Sequence, residues 1–257
     1  AWGITVATPY QAQVAVQAGA KRLILANQLI GKANMAVIAT LLASGNEIYV
    51  CIDNIDNASA LSAFFSAEGL CLPVLIELGV PGGRCGCRTN QQAVELAQQL
   101  VTLPGLSLAG VEFYEGVIKS ADTARSVRQF VQQAAALAKA LFRQQLLQYP
   151  TALISGAGSA WYDIVATELK KATLPDTMQI VLRPGCYISH DLGIYQQAQQ
   201  QVLARSNTAC RLGEDLQNAL ELAAYVQSLP EPGLAVLGFG KRDAAFDAGL
   251  PQAMAIT

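Results

Sequence analysis

Charge is scarce in this chain of 257 residues: only 14% are Asp, Glu, Lys or Arg, while 52% are hydrophobic. That balance excludes intrinsic disorder and predicts a well-buried core. Neither sign of charge is in excess, since 17 Lys and Arg face 19 Asp and Glu for a net charge of −2. The sequence therefore generates no field that would draw in nucleic acid or an anionic membrane. Long apolar runs are missing as well, each being broken by Gly, Pro, Asn or a charged residue before the ~20 residues that cross a bilayer. Histidine occurs once, at His190, and Cys51, Cys71, Cys85, Cys87, Cys186 and Cys210 form neither a C-x-x-C pair nor a His–Cys cluster. Their spacing offers no metal or dithiol motif, and reduced, buried thiols in a cytoplasmic protein are the expectation. The first residues show neither an initiating Met nor a basic-then-apolar leader, so the chain is expected to open inside a fold.

Repetition is what the sequence does have. Apolar runs at Ile4 to Ala7, Arg22 to Asn27, Glu47 to Asp53, Pro73 to Leu78, Leu108 to Glu115, Thr151 to Ser155 and Met178 to Arg183 read as seven strands. Amphipathic stretches separate them: Ala93, Leu96, Ala97 and Leu100 share one helical face, with Gln91, Glu95 and Gln98 on the other. Thr8 before Pro9, Asn57, Asp122 and Ser159 are candidate helix caps. Such alternation predicts an α/β fold built on a parallel sheet. Seven strands are one short of a (β/α)8 TIM-type barrel, so residues 1–191 are read as a barrel lacking its first strand. A doubly wound open sheet is the competing architecture. After Asp191 the pattern changes, and residues 192–257 are read as a linker and the start of a β-rich C-terminal domain. In it, Leu216 to Gln227 and Leu234 to Gly240 flank a turn at Pro230-Glu231-Pro232-Gly233.

In a parallel barrel the chemistry sits where the strands end. The fourth run leads into Gly79-Val80-Pro81-Gly82-Gly83-Arg84-Cys85-Gly86, where glycines admit a ligand to the backbone and Arg84 offers a fixed donor to an oxyanion. A flexible loop with a solvated arginine is the alternative. The sixth run continues as Ser155-Gly156-Ala157-Gly158-Ser159, a strand-to-helix turn suited to phosphate, and the seventh as Arg183-Pro184-Gly185-Cys186-Tyr187. Two tight structural turns are the alternative there. Strand alternation sends Glu112 and Tyr114 one way and Phe113 and Glu115 the other. Glu115 is read first as a carboxylate at a helix N-terminus, and His190 as a structural or surface residue rather than a metal ligand. Asn27-Gln28 and Asp53-Asn54 end earlier strands and either line the cleft or cap helices.

Taken in order, Ala26-Asn27-Gln28-Leu29-Ile30-Gly31, Cys51-Ile52-Asp53-Asn54, Glu77 to Gly86, Phe113-Tyr114-Glu115-Gly116, Ser155 to Ser159 and Arg183 to Tyr187 resemble the strand ends of alanine-racemase-type barrels. The likeness is closest to D-threonine aldolases, D-serine dehydratases and bacterial amino acid deaminases, and Gly240-Lys241-Arg242-Asp243 with Asp247-Ala248-Gly249-Leu250-Pro251 resembles the start of their C-terminal β-domain. The resemblance implies a pyridoxal 5′-phosphate enzyme acting on small D-amino acids, a homodimer when full length. It implies that Arg84 faces the cofactor's phenolic oxygen, that Gly158, Ser159, Gly185 and Cys186 hold its phosphate, and that Arg183 faces its pyridine nitrogen. Tyr114, Ser155 and Tyr187 complete the implied cofactor set. Two departures matter. The aldolases carry an Asp where this chain has Gly79, which tilts the expectation from aldol cleavage to elimination of water from D-serine or D-threonine. The family's Schiff-base lysine ends a strand upstream of Ala1, and Lys21, Lys32, Lys119, Lys139, Lys170, Lys171 and Lys241 match no such position. A divalent metal of the full-length protein would likewise take ligands beyond Thr257. The chain alone is thus expected to bind cofactor without catalysis. A cofactor-carrying barrel with no activity and a phosphosugar-binding barrel are the remaining alternatives.

Overall fold

The computed structural model describes residues 1–211, 215–247 and 249–254, and the chain divides into two compact units, Ala1–Arg183 and Pro184–Thr257. In the first unit β1 (Ile4–Val6), β2 (Arg22–Gln28), β3 (Glu47–Ile52), β4 (Leu72–Leu78), β5 (Leu106–Phe113), β6 (Ala152–Gly156) and β7 (Met178–Leu182) form one sheet. Every pairing is parallel, and the spatial order follows the chain from β1 to β7. A doubly wound sheet would reverse direction at a switch point. The sequential order excludes that alternative and gives a curled sheet, a TIM-type barrel short of one strand. At the N-terminal end of the sheet the Trp2 indole N–H donates to Gln179 Oε1 at 2.8 Å, a link between the chain just before β1 and the β7 strand.

Helices α1 (Pro9–Gln17), α2 (Lys32–Ala43), α3 (Ile55–Ala67), α4 (Asn90–Leu100), α5 (Thr123–Arg143) and α6 (Tyr162–Lys171) fill the intervals. Thr8 and Asp122 cap as expected, their side chains accepting from the N–H groups of Gln11 and Arg125. Two expected caps are corrected. Asn57 lies inside α3 and is itself the donor to the capping Asn54. Trp161, not Ser159, precedes α6. Apolar side chains from the outer face of the sheet, among them Leu25, Val50, Ile76, Val111 and Ile154, pack with Leu61, Phe65, Leu96, Val131 and Leu141 of the helices into the main core.

A second, smaller core fills the concave side of the sheet. Ile24, Tyr49, Leu75, Ala109, Leu153 and Val181 supply one residue per strand from β2 to β7, the layered filling of a barrel interior. Two residues further along four of those strands stand Cys51, Glu77, Ser155 and Arg183, on the same face by the pleat. Strand β5 reaches this second layer by a different route. Val74 pairs with Leu108 but Leu75 pairs with Gly110, so Ala109 is an extra residue and the register slips by one. Past the bulge Glu112, not Val111, lies beside Glu77 on the interior face. Gly110 makes the slip possible: its φ is +145°, and a Cβ there would meet the Leu153 carbonyl oxygen at 1.9 Å.

The second unit contains a short 3-10 helix (Cys186–Ile188), α7 (Ile194–Arg205), α8 (Asn207–Arg211) and an antiparallel hairpin of β8 (Val226–Glu231) and β9 (Leu234–Leu237). The expected extended run from Leu216 becomes strand only at Val226. Pro230 and Glu231 belong to β8, and the turn is Pro232-Gly233, with Gly233 at φ 83°. Ala248, in the expected run from Asp247 to Pro251, lies outside the described residues. His190 is buried, consistent with a structural role, and has a φ of 42°. The thiols are less uniformly buried than expected: Cys51 and Cys87 are buried, but Cys71 and Cys210 are exposed. No helix among the described residues is long and apolar enough to cross a membrane.

Gly110→Ala is expected to destabilise the chain by more than about 1 kcal/mol, because it adds both a clash and a left-handed Ala. Urea unfolding measures this; a variant as stable as the parent would show that β5 tolerates a side chain at the bulge.

Candidate functional site

The polar layer of the interior opens at the C-terminal ends of the strands into a cleft lined by Ala26, Glu77, Leu78, Gly79, Val80, Gly83, Arg84, Cys85, Glu112, Tyr114, Val117 and Arg183. Its floor is an ion pair between Glu112 and Arg183, whose side chains are 4% and 9% exposed. One guanidinium nitrogen, Nη2, donates to Glu112 Oε1 and also to the Phe113 carbonyl at 3.1 Å. The Arg183 Nε–H is buried and has no acceptor among the described residues. An unsatisfied buried donor is costly.

Cys51 Sγ and carboxylate oxygens of Glu77 and Glu112 lie within 4.8 Å of one another. Burial pushes the Glu112 carboxyl up, while the Arg183 guanidinium pulls it back. Glu77 is raised to about 7 by burial and by the neighbouring Glu112, although it accepts a hydrogen bond of 2.6 Å from Gln28 Nε2. Burial also raises the Cys51 thiol well above its ordinary value. The charge of this layer is thus balanced by Arg183, a shared proton population on Glu77 and a neutral thiol.

Above the floor, the loop after β4 carries Arg84, which is exposed at the cleft and makes no hydrogen bond or ion pair among the described residues. The loop itself is built around a different arginine. Arg88 Nη1 donates to the carbonyls of Cys85 at 2.6 Å and Gly86 at 2.7 Å, and Nη2 to that of Gly83 at 2.8 Å. Asp53, at the end of β3, accepts from the Gly86 N–H at 2.8 Å.

The turn after β6 is held from below by Glu115. This fully buried carboxylate accepts from the backbone N–H groups of Ala157 at 3.2 Å and Gly158 at 2.6 Å. The reading of Glu115 as a carboxylate at a helix N-terminus is corrected: it lies between β5 and α5, whose cap is Asp122, and it accepts from the β6–α6 turn ahead of α6, so the Gly158 N–H is directed at Glu115. Gly158 packs against the Tyr114 ring, where a Cβ would come within 2.8 Å of the ring. Tyr114 and Glu112 share the cleft side of β5, while Phe113 faces the main core. Ser155 is fully buried with its hydroxyl donating to the Val181 carbonyl at 3.1 Å, so it ties β6 to β7 and is not a cleft-lining residue. Ser159 stands three residues before α6, whereas Gly185, Cys186 and Tyr187 belong to the second unit, Gly185 preceding its 3-10 helix. Arg84, Tyr114 and Arg183 are therefore the expected residues that the first unit brings to one cleft. Cys51 and Glu77 stand in the strand-end series of the sequence without an assigned role, and Arg88 was not singled out. Period-two spacing beyond Tyr49 and Leu75 points to the first two; no spacing signal marks Arg88.

Residues 1–166 match the sequence profile of the family described as alanine racemase, N-terminal domain. The chain is 28% identical over 239 residues to D-threonine aldolase of an Arthrobacter species, covering 92% of this chain and 57% of that protein. Against 3-hydroxy-D-aspartate aldolase of Paracoccus denitrificans strain Pd 1222 it is 25% identical over 244 residues, 94% of this chain and 59% of the relative. The chain thus spans less than two thirds of the length of these relatives. Among solved structures, D-threonine aldolase from Filomicrobium marinum superposes with a TM-score of 0.77 over 98% of this chain and 63% of that one, at 23% identity. D-threo-3-hydroxyaspartate dehydratase from Delftia sp. HT23 gives 0.56 over 74% and 48%, at 21% identity. At those identities the two structures share the fold.

Two outcomes test this arrangement. Glu112→Ala strands Arg183 as an unpaired buried cation and is expected to cost about 3–5 kcal/mol in urea unfolding; a loss under about 1 kcal/mol would mean the pair is solvated. Glu77, raised from 4.5 to about 7 in the folded chain, binds its proton more tightly there than when unfolded. Its contribution to stability is complete below 4.5 and falls as pH rises towards 7. Glu77→Gln is expected to flatten the unfolding free energy across that window and to be the more stable form at alkaline pH; an unchanged slope would place that titration elsewhere.

Proposed function

Because the chain belongs to the alanine racemase N-terminal domain family, we propose that its cleft binds pyridoxal 5′-phosphate and serves a lyase acting on small D-3-hydroxyamino acids. The observation that carries the reading is the Arg183 Nε–H, a buried donor with no acceptor, at the floor of a cleft rimmed by Arg84 and Tyr114. A pyridine nitrogen is the neutral acceptor that such a donor lacks. The residues present therefore fit the cofactor.

Bound there, the cofactor supplies an electron sink for negative charge developing at the substrate's Cα. Arg183 would donate to the ring nitrogen and, being unable to surrender a proton, would leave that nitrogen unprotonated. Glu112 keeps the guanidinium in place and balances its charge. Arg84, at the rim of the cleft, would donate to the phenolic oxygen. Ser159 is proposed to serve one phosphate turn, whose backbone Glu115 fixes through Ala157 and Gly158, and Gly185, Cys186 and Tyr187 are proposed to form a second turn within their own unit.

Elimination of water, yielding a 2-oxo acid and ammonia, is the first reading of the reaction. Gly79 supports it: a Cβ at that position would come within 2.0 Å of the Cys85 carbonyl oxygen and 2.3 Å of Arg88 Nη1. The carboxylate that resembling aldolases carry at this point has no room here. Cleavage of Cα–Cβ is the second reading, favoured by the aldolases among the relatives. A homodimeric, cytoplasmic, full-length enzyme with a divalent metal held outside this chain remains part of the proposal. No lysine lines the cleft among the described residues, so the chain as given is proposed to hold the cofactor without a covalent bond.

Titration of the chain with pyridoxal 5′-phosphate, followed by borohydride and peptide mapping, checks this. Saturable binding with no stoichiometric lysine adduct is expected; one modified lysine at full occupancy would mean that a lysine reaches the cleft. Incubating the whole gene product with D-threonine, D-serine and D-3-hydroxyaspartate separates the two reactions. Ammonia with a 2-oxo acid marks elimination, glycine with an aldehyde marks cleavage, and neither product sinks the lyase reading.

A further inference from the structure

We propose that Arg88 is the positioning residue of the cleft, holding Arg84 in place by clamping the backbone on both sides of it. The inference rests on the reading of the cleft as a cofactor site and assigns a role to a residue outside its lining.

The loop that presents Arg84 begins at Gly79 and returns at Cys87. Its neck is closed by backbone bonds, Gly79 N–H to Cys87 O at 2.9 Å and Cys87 N–H to Glu77 O at 2.8 Å. Between those points lie Gly82, Gly83 and Gly86, two of them at positive φ, so the loop has unusual backbone freedom to lose on binding a ligand. The Arg88 guanidinium removes that freedom. Its two terminal nitrogens reach three carbonyls, those of Gly83, Cys85 and Gly86, at 2.6–2.8 Å. The Gly83 carbonyl lies in the peptide just before Arg84 and the Cys85 and Gly86 carbonyls in the two peptides that follow Cys85, so the backbone is held on both sides of the presented residue.

Only a planar fork can do this, since a lysine ammonium has no second arm to span the carbonyls. The fork needs space, and Gly79 provides it by having no Cβ to meet Arg88 Nη1. Asp53 adds one anchor from outside the loop through the Gly86 N–H. Arg84, by contrast, makes no side-chain hydrogen bond or ion pair among the described residues. Its placement is inherited from its backbone, which the clamp holds together with the neck bonds and Asp53.

A double-mutant cycle with a second, cofactor-independent readout tests the assignment. Dissociation constants for pyridoxal 5′-phosphate are measured by absorbance for the parent, Arg84→Ala, Arg88→Lys and the double variant. Arg88→Lys keeps the charge and guards against loss of the fold, which a melting curve checks. The expected result is a loss on the order of tenfold for Arg84→Ala and of several-fold for Arg88→Lys, with less than about a twofold further loss in the double variant. Parental affinity in Arg88→Lys, or losses that multiply in the double variant, would overturn the proposal. The backbone amide of Arg84 is followed in parallel by its heteronuclear NOE without cofactor, and a fall in Arg88→Lys is expected. If the parent binds no pyridoxal 5′-phosphate, the cofactor reading fails, and the amide alone decides the clamp: unchanged order at Arg84 would overturn it.

Discussion

One extra residue in β5 sets the chemistry of the barrel interior. Without the slip at Ala109 and Gly110, strict alternation would carry Val111 inward and leave Glu112 among the helices. Glu112 would then be a buried charge in an apolar layer, and Arg183 would have no carboxylate opposite it. The bulge moves the carboxylate to the concave side, beside Glu77 and within reach of Arg183. Gly110 is the residue that permits this, because neither its φ nor its distance from the Leu153 carbonyl admits a side chain. Strand geometry and site electrostatics are in this sense one feature.

The parallel architecture was legible because βα units repeat the same two periodicities. All seven strands of the first unit lie within two residues of the runs read from hydrophobic patterning. Thr8 and Asp122 announced their helices because capping is local, one side chain meeting an N–H three residues on. Asn57 failed for the same reason: Asn54, three residues earlier, competes for the role and wins. In the second unit the reading overextended β8, since Leu216 to Tyr225 has the apolar content of a strand without a partner to pair with. Among the site residues, Arg84, Tyr114 and Arg183 could be found because each follows a strand end. Glu77 and Cys51 sit inside the strands, where a polar residue looks like an interruption until the facing strands are known. Arg88 could not be found at all, because its partners are backbone carbonyls, and carbonyls leave no trace in a sequence.

The cleft separates its electrostatic work by depth. At the floor, charges are buried and mutually compensating, with Arg183 against Glu112 and a proton near Glu77. At the rim, Arg84 is solvated and its strength depends on geometry rather than on a low-dielectric surround. Glu115 plays a third part, using its carboxylate to orient the backbone of the β6–α6 turn. Three carboxylates within one barrel mouth therefore do three different jobs, and burial with the identity of the nearest donor decides which.

Gly79 and Arg88 also constrain how the loop after β4 can change over generations. Any side chain at 79 collides with the Cys85 carbonyl and with the guanidinium that organises the loop. Removing the guanidinium first leaves the Cys85 carbonyl in the way and slackens the loop before anything replaces it. The two alternatives, a glycine with a clamping arginine or a side chain at 79 without one, are separated by intermediates that are worse than either. Such a loop is inherited or exchanged as a block, and single substitutions do not lead from one form to the other.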